Sequence, residues 1–274
     1  MSRVFAVLGG DRRQTYLAEE LERIGYEREV FAVPGLPDSG TLSQVLHRAD
    51  CVILPMPAFD REGNLRTGDG RRISPAEIAA SLPENARVFG GKLPKGSLPD
   101  AEDYAEWEPL AIANAAVTAE GAIRLAMEQL PVTVQGGRFL ITGAGRIGMA
   151  LASRLRLLGA EVTVTARKER DLARIRACGL TADLTGRYGL GLRPYDCVLN
   201  TVPVQVFTAE QMRHLRPDCV CIELASSPGG FPPGAKSING GGLPGKTSPK
   251  TAGVLILDAI LQHLRQEERS GKDV

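Results

Sequence analysis

The chain has 274 residues, 43% of them hydrophobic and 24% charged, with a formal net charge of +1 at pH 7. That length has room for two domains of ordinary size, and a charge so near zero supplies no field for nucleic acid or a membrane surface. Met1–Leu8 carries one early Arg and lacks a signal-peptide core, and no run approaches the roughly 20 apolar residues of a membrane span, so no membrane association is expected.

Val4–Leu8 reads as the first strand, and Gly9-Gly10-Asp11-Arg12-Arg13-Gln14 follows it at once. A helix is expected over Arg13–Ile24, with Leu17, Leu21 and Ile24 at helical spacing and Gly25 as its stop. Strands at Glu29–Val33 and Cys51–Leu54, around a short helix at Leu42–Leu46, complete a βαβαβ unit. A polar loop, Pro55–Arg72, leads to a helix at Ile73–Ser81 with Pro75 in its first turn, then to a strand at Arg87–Phe89 ending in Gly90-Gly91-Lys92. Pro94–Glu106 is expected to cross the surface before Ala111–Leu130, a helix of strong formers that stops at Pro131.

Arg138–Lys168 is the most informative stretch. A β-forming run, Arg138–Thr142, is followed by Gly143-Ala144-Gly145-Arg146-Ile147-Gly148, a helical run to Leu158, a stop at Gly159 and a second strand at Glu161–Thr165. A G-x-G-x-x-G alone is weak, but after a strand and opening a helix it is the dinucleotide fingerprint. Gly143 allows the tight turn, Gly145 lets the backbone approach a pyrophosphate, and Gly148 lets helix and strand pack closely. The free amides and positive end of that helix favour the anion. An NAD enzyme needs an acidic residue past the second strand to hold the ribose 2′-OH. Here the chain reads Thr165-Ala166-Arg167-Lys168, with no carboxylate before Glu169. Arg167 can fork a 2′-phosphate, Lys168 can add charge and Thr165 can add a hydroxyl, so the expected cofactor is NADP rather than NAD.

Later strands are expected at Cys197–Thr201 and Val220–Leu224, with a short one at Ala235–Ile238 and a glycine/proline loop at Gly240–Pro249. A final helix over Lys250–Leu264 is apolar on a wide face and should pack back on the N-terminal domain, leaving a polar tail at Gln266–Val274. The fold class is therefore α/β: two doubly wound parallel-sheet, Rossmann-like domains joined by two crossing helices, with an interdomain cleft. The expected divisions are residues 1–110, completed by the helix at 250–267, a linker helix at 111–131, and an NADP-binding domain at 132–249. Apolar faces on the two crossing helices point to a homodimer. Cys51, Cys178, Cys197, Cys219 and Cys221 show no metal-ligand spacing, and they read as reduced thiols of a cytoplasmic protein with no metal site.

Ligands of α/β sheets bind at the carboxyl ends of the strands, which makes the following loops candidates. Arg12 and Arg13 follow a glycine turn at a helix start, a good place for an anion. Lys92, Lys246 and Lys250 add cations from other loops, as a small substrate with one or two carboxylates would require. Asp11 can act as a base, orient an arginine or cap the helix. Glu120 lies on the linker helix, and Thr201-Val202-Pro203, at the end of a strand of the cofactor domain, are expected to contact the cofactor. His47, His214 and His263 read as surface residues. A 2-hydroxyacid dehydrogenase would carry an Arg after its fifth strand and a His before its last helix, and both are missing here. The first-domain Lys/Asp pair of shikimate-type dehydrogenases likewise has no clear counterpart.

Four motifs together resemble one family, that of the dipicolinate synthase A subunit. They are Gly9–Gln14, Asn114–Ile123 (NAAVTAEGAI), Ala225–Gly230 (ASSPGG) and Leu243–Gly253 (LPGKTSPKTAG). The resemblance runs nearly end to end. It implies NADP-dependent oxidation, with aromatisation, of a dihydrodipicolinate-level intermediate to dipicolinate. It also implies a setting in the mother cell of a sporulating bacterium, on a branch of lysine biosynthesis, and as partner the flavoprotein-like B subunit of dipicolinate synthase. On that reading Arg12, Arg13 and Lys246 hold carboxylates, Lys92, Ser248 and Lys250 support them, and Asp11 or Glu120 takes the ring proton, with Lys246 counted among the catalytic candidates. Two other readings stay open: a non-catalytic NADP-binding docking subunit, and an NADP-dependent 2-hydroxyacid-type reductase.

Overall fold

The structure is a computed structural model and describes residues 3–270; Met1 and Ser2 of the expected first run, and 271–274 of the expected tail, lie outside the described residues. The chain divides into two compact units, one running to Asn114 and resuming at Ser248, the other spanning Ala115–Thr247.

The first unit is a parallel five-stranded sheet in the order β2-β1-β3-β4-β5. It is built from β1 (Val4–Leu8), α1 (Arg12–Arg23), β2 (Glu27–Phe31), α2 (Leu42–His47), β3 (Cys51–Ile53), α3 (Pro75–Ser81), β4 (Arg87–Gly90) and β5 (Glu102–Asp103). The helix starts are written in the sequence. Thr41 with Gln44 and Ser74 with Glu77 form reciprocal capping boxes, and Pro75 opens α3 where a missing N–H costs nothing. The buried strands β1 and β3 pair Phe5 with Cys51 and Val7 with Ile53. Against them α1 buries Leu17, Ala18 and Leu21.

A long helix, α4 (Glu108–Gln129), begins in the first unit and ends in the second. By length and composition it meets the criterion for a membrane span, with a mean hydropathy of 1.3, which corrects the expectation that no run comes close; half of that window is buried. Ala119, Ala122 and Ala126 are fully buried in the core of the second unit, so packing accounts for the buried half of this apolar character.

The second unit contains β6 (Arg138–Thr142), α5 (Arg146–Leu157), β7 (Glu161–Ala166), α6 (Glu169–Ala177), β8 (Thr181–Leu184), β9 (Cys197–Asn200), α7 (Ala209–Met212), β10 (Val220–Glu223), β11 (Ile238–Asn239) and α8 (Leu243–Thr247). Its six parallel strands run β11-β10-β9-β6-β7-β8. The strand order reverses beside β6, which opens a crevice at the carboxyl ends of β6 and β9, where such sheets take ligands. Phe139, Ile141, Val164, Leu199 and Ile222 fill the space beneath α5, which contributes Leu151, Ala152 and Leu155. The last helix, α9 (Pro249–Ser270), returns to the first unit. A methyl group at Gly253 would strike the Arg13 carbonyl oxygen of α1, so only glycine allows these two backbones to approach so closely.

The two parallel α/β sheets are as expected; the differences are element ends and added short elements, among them β8 and α8, which forms within the expected glycine/proline loop. The second strand starts and ends two residues earlier than its hydrophobic pattern suggests: β1 pairs with Glu27–Phe31, and at Ala32 the chain turns to φ +58° with its amide on Asp38 Oδ1. Short β5 forms within the expected surface crossing. Helix α9 extends through most of the expected tail, held by ion pairs of Glu267 with Arg87 and of Glu268 with Arg3.

Candidate functional site

In the second unit the glycine turn after β6 forms one wall of a cavity of about 300 Å³. Gly143 has φ +94°, a conformation that favours glycine, and a Cβ there would also meet Thr201 Oγ1. The turn hands over to α5 at Gly145, an N-cap that itself makes no side-chain bond to the start of this 12-residue helix. A Cβ on Gly145 would meet nothing within 4 Å, whereas one on Gly148 would collide with the Gly143 carbonyl oxygen. One glycine thus faces open space and the other holds helix and turn together, the arrangement a bound diphosphate needs.

A second part of the lining is made by Ala166, Arg167 and Lys168, at the end of β7, with Asp171 and Thr185. Arg167 and Lys168 are exposed. Lys168 is the N-cap of α6 and makes no side-chain capping bond. Two cations at a helix start oppose its dipole, an arrangement favoured only with an anion beside them. Asp171 relieves part of this at the first turn of α6 and lies 3.6 Å from Arg170. The third wall is Val202, Val204 and Val206, apolar residues after β9.

Of the residues expected to bind cofactor, Gly143, Ala144, Gly145, Arg167, Lys168 and Val202 line this cavity together. Arg146 and Ile147 start α5 without lining it, and Gly148 is buried as a packing contact. Thr165 corrects the expectation: it is fully buried, and its hydroxyl accepts a 2.9 Å bond from Thr185. The side chain that reaches the cavity is therefore Thr185, on the chain just past β8, a strand that the hydrophobic pattern does not announce. Thr201 turns inward to donate to the Thr142 carbonyl at 2.7 Å, and Pro203 is exposed outside the lining.

Behind the turn lies a buried polar network that the sequence did not signal. Asn200, at the end of β9, takes the Thr142 hydroxyl on its Oδ1 and donates to Val202 O at 2.9 Å and Glu223 Oε1 at 2.6 Å. Glu223, at the end of β10, accepts from the amides of Ala225 (2.9 Å) and Gly230 (2.8 Å). A methyl group on Gly230 would strike the Asn200 carboxamide. These bonds fix the Ala225–Gly230 loop and the start of the valine wall, and they satisfy the buried groups.

The first unit has its own loop rim. Gly10 N donates to Arg66 O (2.6 Å), Arg66 N to Ala58 O (3.0 Å), Ala58 N to Gly91 O (2.8 Å) and Gly91 N to Pro55 O (3.1 Å). This knits together the loops at the carboxyl ends of β1, β3 and β4. Asp11 caps α1, and both its oxygens take the Arg13 guanidinium at 2.9 Å. Arg13 is buried and also donates to the Met56 carbonyl. Burial pushes the Asp11 carboxyl up, but the hydrogen bonds and charge of Arg13, with the charge of Arg66, outweigh it and hold the group below its ordinary value. Asp11 is therefore an orienting and capping carboxylate, poorly suited to take a proton, and Arg13 is committed to it. Arg12 is exposed, braced by its 2.7 Å bond to Tyr16 Oη. Lys92 projects from a position with φ +51°, its backbone amide held by Asp103. Arg66, overlooked within a polar loop, joins this rim.

The remaining expected residues are dispersed. Lys250 is exposed in the first turn of α9, and Ser248 precedes that helix, its carbonyl accepting from Ala252 N at 3.0 Å. Lys246, in the second unit, donates from Nζ to Gly241 O at 2.9 Å. Glu120 is exposed 3.4 Å from Arg154 of α5 and does not line the cofactor cavity. None of the three histidines lines that cavity either. Glu102, His263 and Glu267 cluster in the first unit, but Arg87 bonds both carboxylates and supplies the positive charge that a metal ion would bring.

Comparison with known proteins places these features. Residues 4–100 match the family model of the N-terminal domain of the dipicolinate synthase A subunit. The chain is 28% identical to the dipicolinate synthase A subunit of Bacillus subtilis (strain 168), covering 96% of this chain and 97% of the relative. It superposes on the crystal structure of the dipicolinate synthase A subunit from Bacillus halodurans with a TM-score of 0.84 at 27% identity, over 96% of this chain and 97% of the other. A transhydrogenase from Sinorhizobium meliloti shares the fold, with a TM-score of 0.66 at 15% identity over 96% and 94% of the two chains. The resemblance carried by the four motifs thus extends over nearly the whole chain, in sequence and in structure.

Proposed function

We propose, from a similarity to the dipicolinate synthase A subunit that covers nearly all of the chain, that this protein is an NADP-dependent oxidoreductase that aromatises a dihydrodipicolinate-level intermediate to dipicolinate. The observation that carries the cofactor assignment is the cavity of the second unit, which the glycine turn at the start of α5 lines together with Arg167 and Lys168. Gly143–Gly145 would receive the diphosphate, and Arg167 with Lys168 the ribose 2′-phosphate. Among the described residues neither of these cations has a carboxylate partner, so both charges are available. NADP, when bound, supplies the hydride acceptor.

The residues of the chain bind and orient. Arg12 is assigned to a substrate carboxylate, because it is exposed at the start of α1 while Arg13 is consumed in fixing Asp11. Lys92, Ser248 and Lys250 of the same unit are assigned supporting roles toward a dianionic substrate. Aromatisation supplies driving force, so a strong side-chain base is less necessary, in keeping with Asp11 being held ionised and paired. Catalysis then rests on positioning. The same similarity supports the proposed setting, a sporulating mother-cell cytoplasm, and the proposed partner, the flavoprotein-like B subunit of dipicolinate synthase.

One observation favours a second reading. With Asp11 engaged by Arg13 and Glu120 beside Arg154, neither expected proton acceptor is free, as would suit an NADP-binding subunit whose partner performs the chemistry. Turnover of freshly generated dihydrodipicolinate by the purified chain, alongside Arg12→Ala, separates the two. The autonomous reading expects dipicolinate absorbance to rise with wild type and KM to rise in the variant with NADP binding unchanged. Turnover only upon addition of a second subunit favours the other reading.

A further inference from the structure

We propose that the exposed face formed by α4 and α5 is the contact through which two copies of this chain associate about a two-fold axis. The face is a groove of about 610 Å³ within the second unit, separate from the cofactor cavity. Its floor is Ile123 and Met127 of α4 with Leu157 and Leu158, at the end of α5. Leu157 is 87% exposed, Met127 59% and Leu158 48%. Single exposed apolar side chains are ordinary, but a contiguous set with a polar rim marks an association surface.

The charges of the rim select the occupant. Glu120, Arg124 and Glu128 recur every four residues along α4, and Arg154 faces them from α5. A partner steered by charge would need a rim of one sign, and this rim alternates. A second copy satisfies it. When two α4 helices cross antiparallel about an axis level with residue 126, each Arg124 stands opposite the partner's Glu128, and the pairing is made twice. Within one chain Arg124 already reaches Glu128 at 2.9 Å, so both side chains lie on this face at the right height. An axis level with residue 124 would set Glu120 against Glu128, a like-charge contact that disfavours that register. Apolar centre, mixed-sign rim and self-complementary spacing are together what an isologous interface requires.

Light scattering coupled to size exclusion, on the intact chain over a range of concentrations, provides the test. Wild type is expected at twice the 29.3 kDa chain mass. Leu157→Glu, at a position too exposed to disturb the fold, should elute at the mass of one chain with an unchanged circular dichroism spectrum. Arg124→Glu and Glu128→Arg should each weaken the dimer by roughly tenfold or more. Mixing those two variants should restore it, because opposite charges meet across the axis in the mixed pair and like charges in each parent. A wild-type chain that stays monomeric, or a dimer unmoved by Leu157→Glu, overturns the proposal. A mixture that fails to reassociate overturns the two-fold register.

Discussion

Gly145→Ala separates binding from folding more cleanly than any other single change at the cofactor turn. Its backbone, at φ −78° and ψ −170°, is open to any residue, and the added methyl would meet no atom within 4 Å. Alanine is a poorer N-cap than glycine by about 0.5–1.5 kcal/mol, and the loss of freedom in the unfolded chain returns about 0.4–1 kcal/mol. Folding stability should therefore change by less than about 1 kcal/mol. The methyl would nonetheless stand where a diphosphate lies against the helix amides. Displacing one charge-assisted hydrogen bond, at about 1.5–3 kcal/mol, weakens NADPH by roughly 10- to 100-fold. Gly148→Ala is the control, since its methyl would overlap the Gly143 carbonyl oxygen and force turn and helix apart by on the order of 1 Å. Overpacking of that kind costs about 1–3 kcal/mol, so this variant should lose stability and binding together. Calorimetric titration with NADPH and urea unfolding read the two effects. A folded Gly145→Ala protein that binds NADPH as wild type does would remove the diphosphate from this turn.

Other outcomes follow from the first unit and the thiols. Arg13→Ala leaves the half-buried Asp11 carboxylate unpaired and should cost about 2–3 kcal/mol, less than a fully buried pair because Asp11 keeps some solvent; Arg12→Ala should change stability by less than about 0.5 kcal/mol in the same denaturation assay. Because the folded-state pKa of Asp11 is depressed, the unfolded chain binds more protons and stability rises with pH through that range. The contribution is full above the ordinary aspartate value of about 3.9 and fades as pH falls through the lower folded-state value. Asp11→Asn should therefore lose stability at pH 7, and the loss should shrink as pH falls below the ordinary aspartate value and through the lower folded-state one, read from acid-unfolding curves. Alkylation at pH 7.5 followed by mass spectrometry should label exposed Cys178 first, and Cys51, whose thiol burial pushes up to about 11, only on unfolding.

The second unit was legible because its glycines and strand lie in one continuous stretch. Arg138–Thr142 and the turn after it need no distant partner to be recognised, and β6 forms over those residues. Failures came where partners are far apart in sequence. Thr165 looked available at a strand end, but the unforeseen β8 brings Thr185 against its hydroxyl and takes its place at the cavity. Asn200 and Glu223 carry no motif, and their value arises only when β6, β9 and β10 lie side by side. Arg12 and Arg13 are equivalent as adjacent letters, yet the helical turn buries one against Met56 and exposes the other. Helix α9 outran its apolar pattern because Glu267 and Glu268 find arginines that sequence spacing does not reveal.

The sharpest test of the proposed reaction is a single turnover assay run with NADP and then with NAD. Purified chain receives freshly generated dihydrodipicolinate, and reduced nucleotide and dipicolinate are followed together. Equal amounts of both products are expected with NADP, and a kcat/KM roughly 10- to 100-fold lower with NAD, the value of an arginine fork on a phosphate. Preference for NAD would contradict the role given to Arg167 and Lys168. Tight NADP binding without turnover, alone or with a second subunit, would contradict the proposed reaction itself.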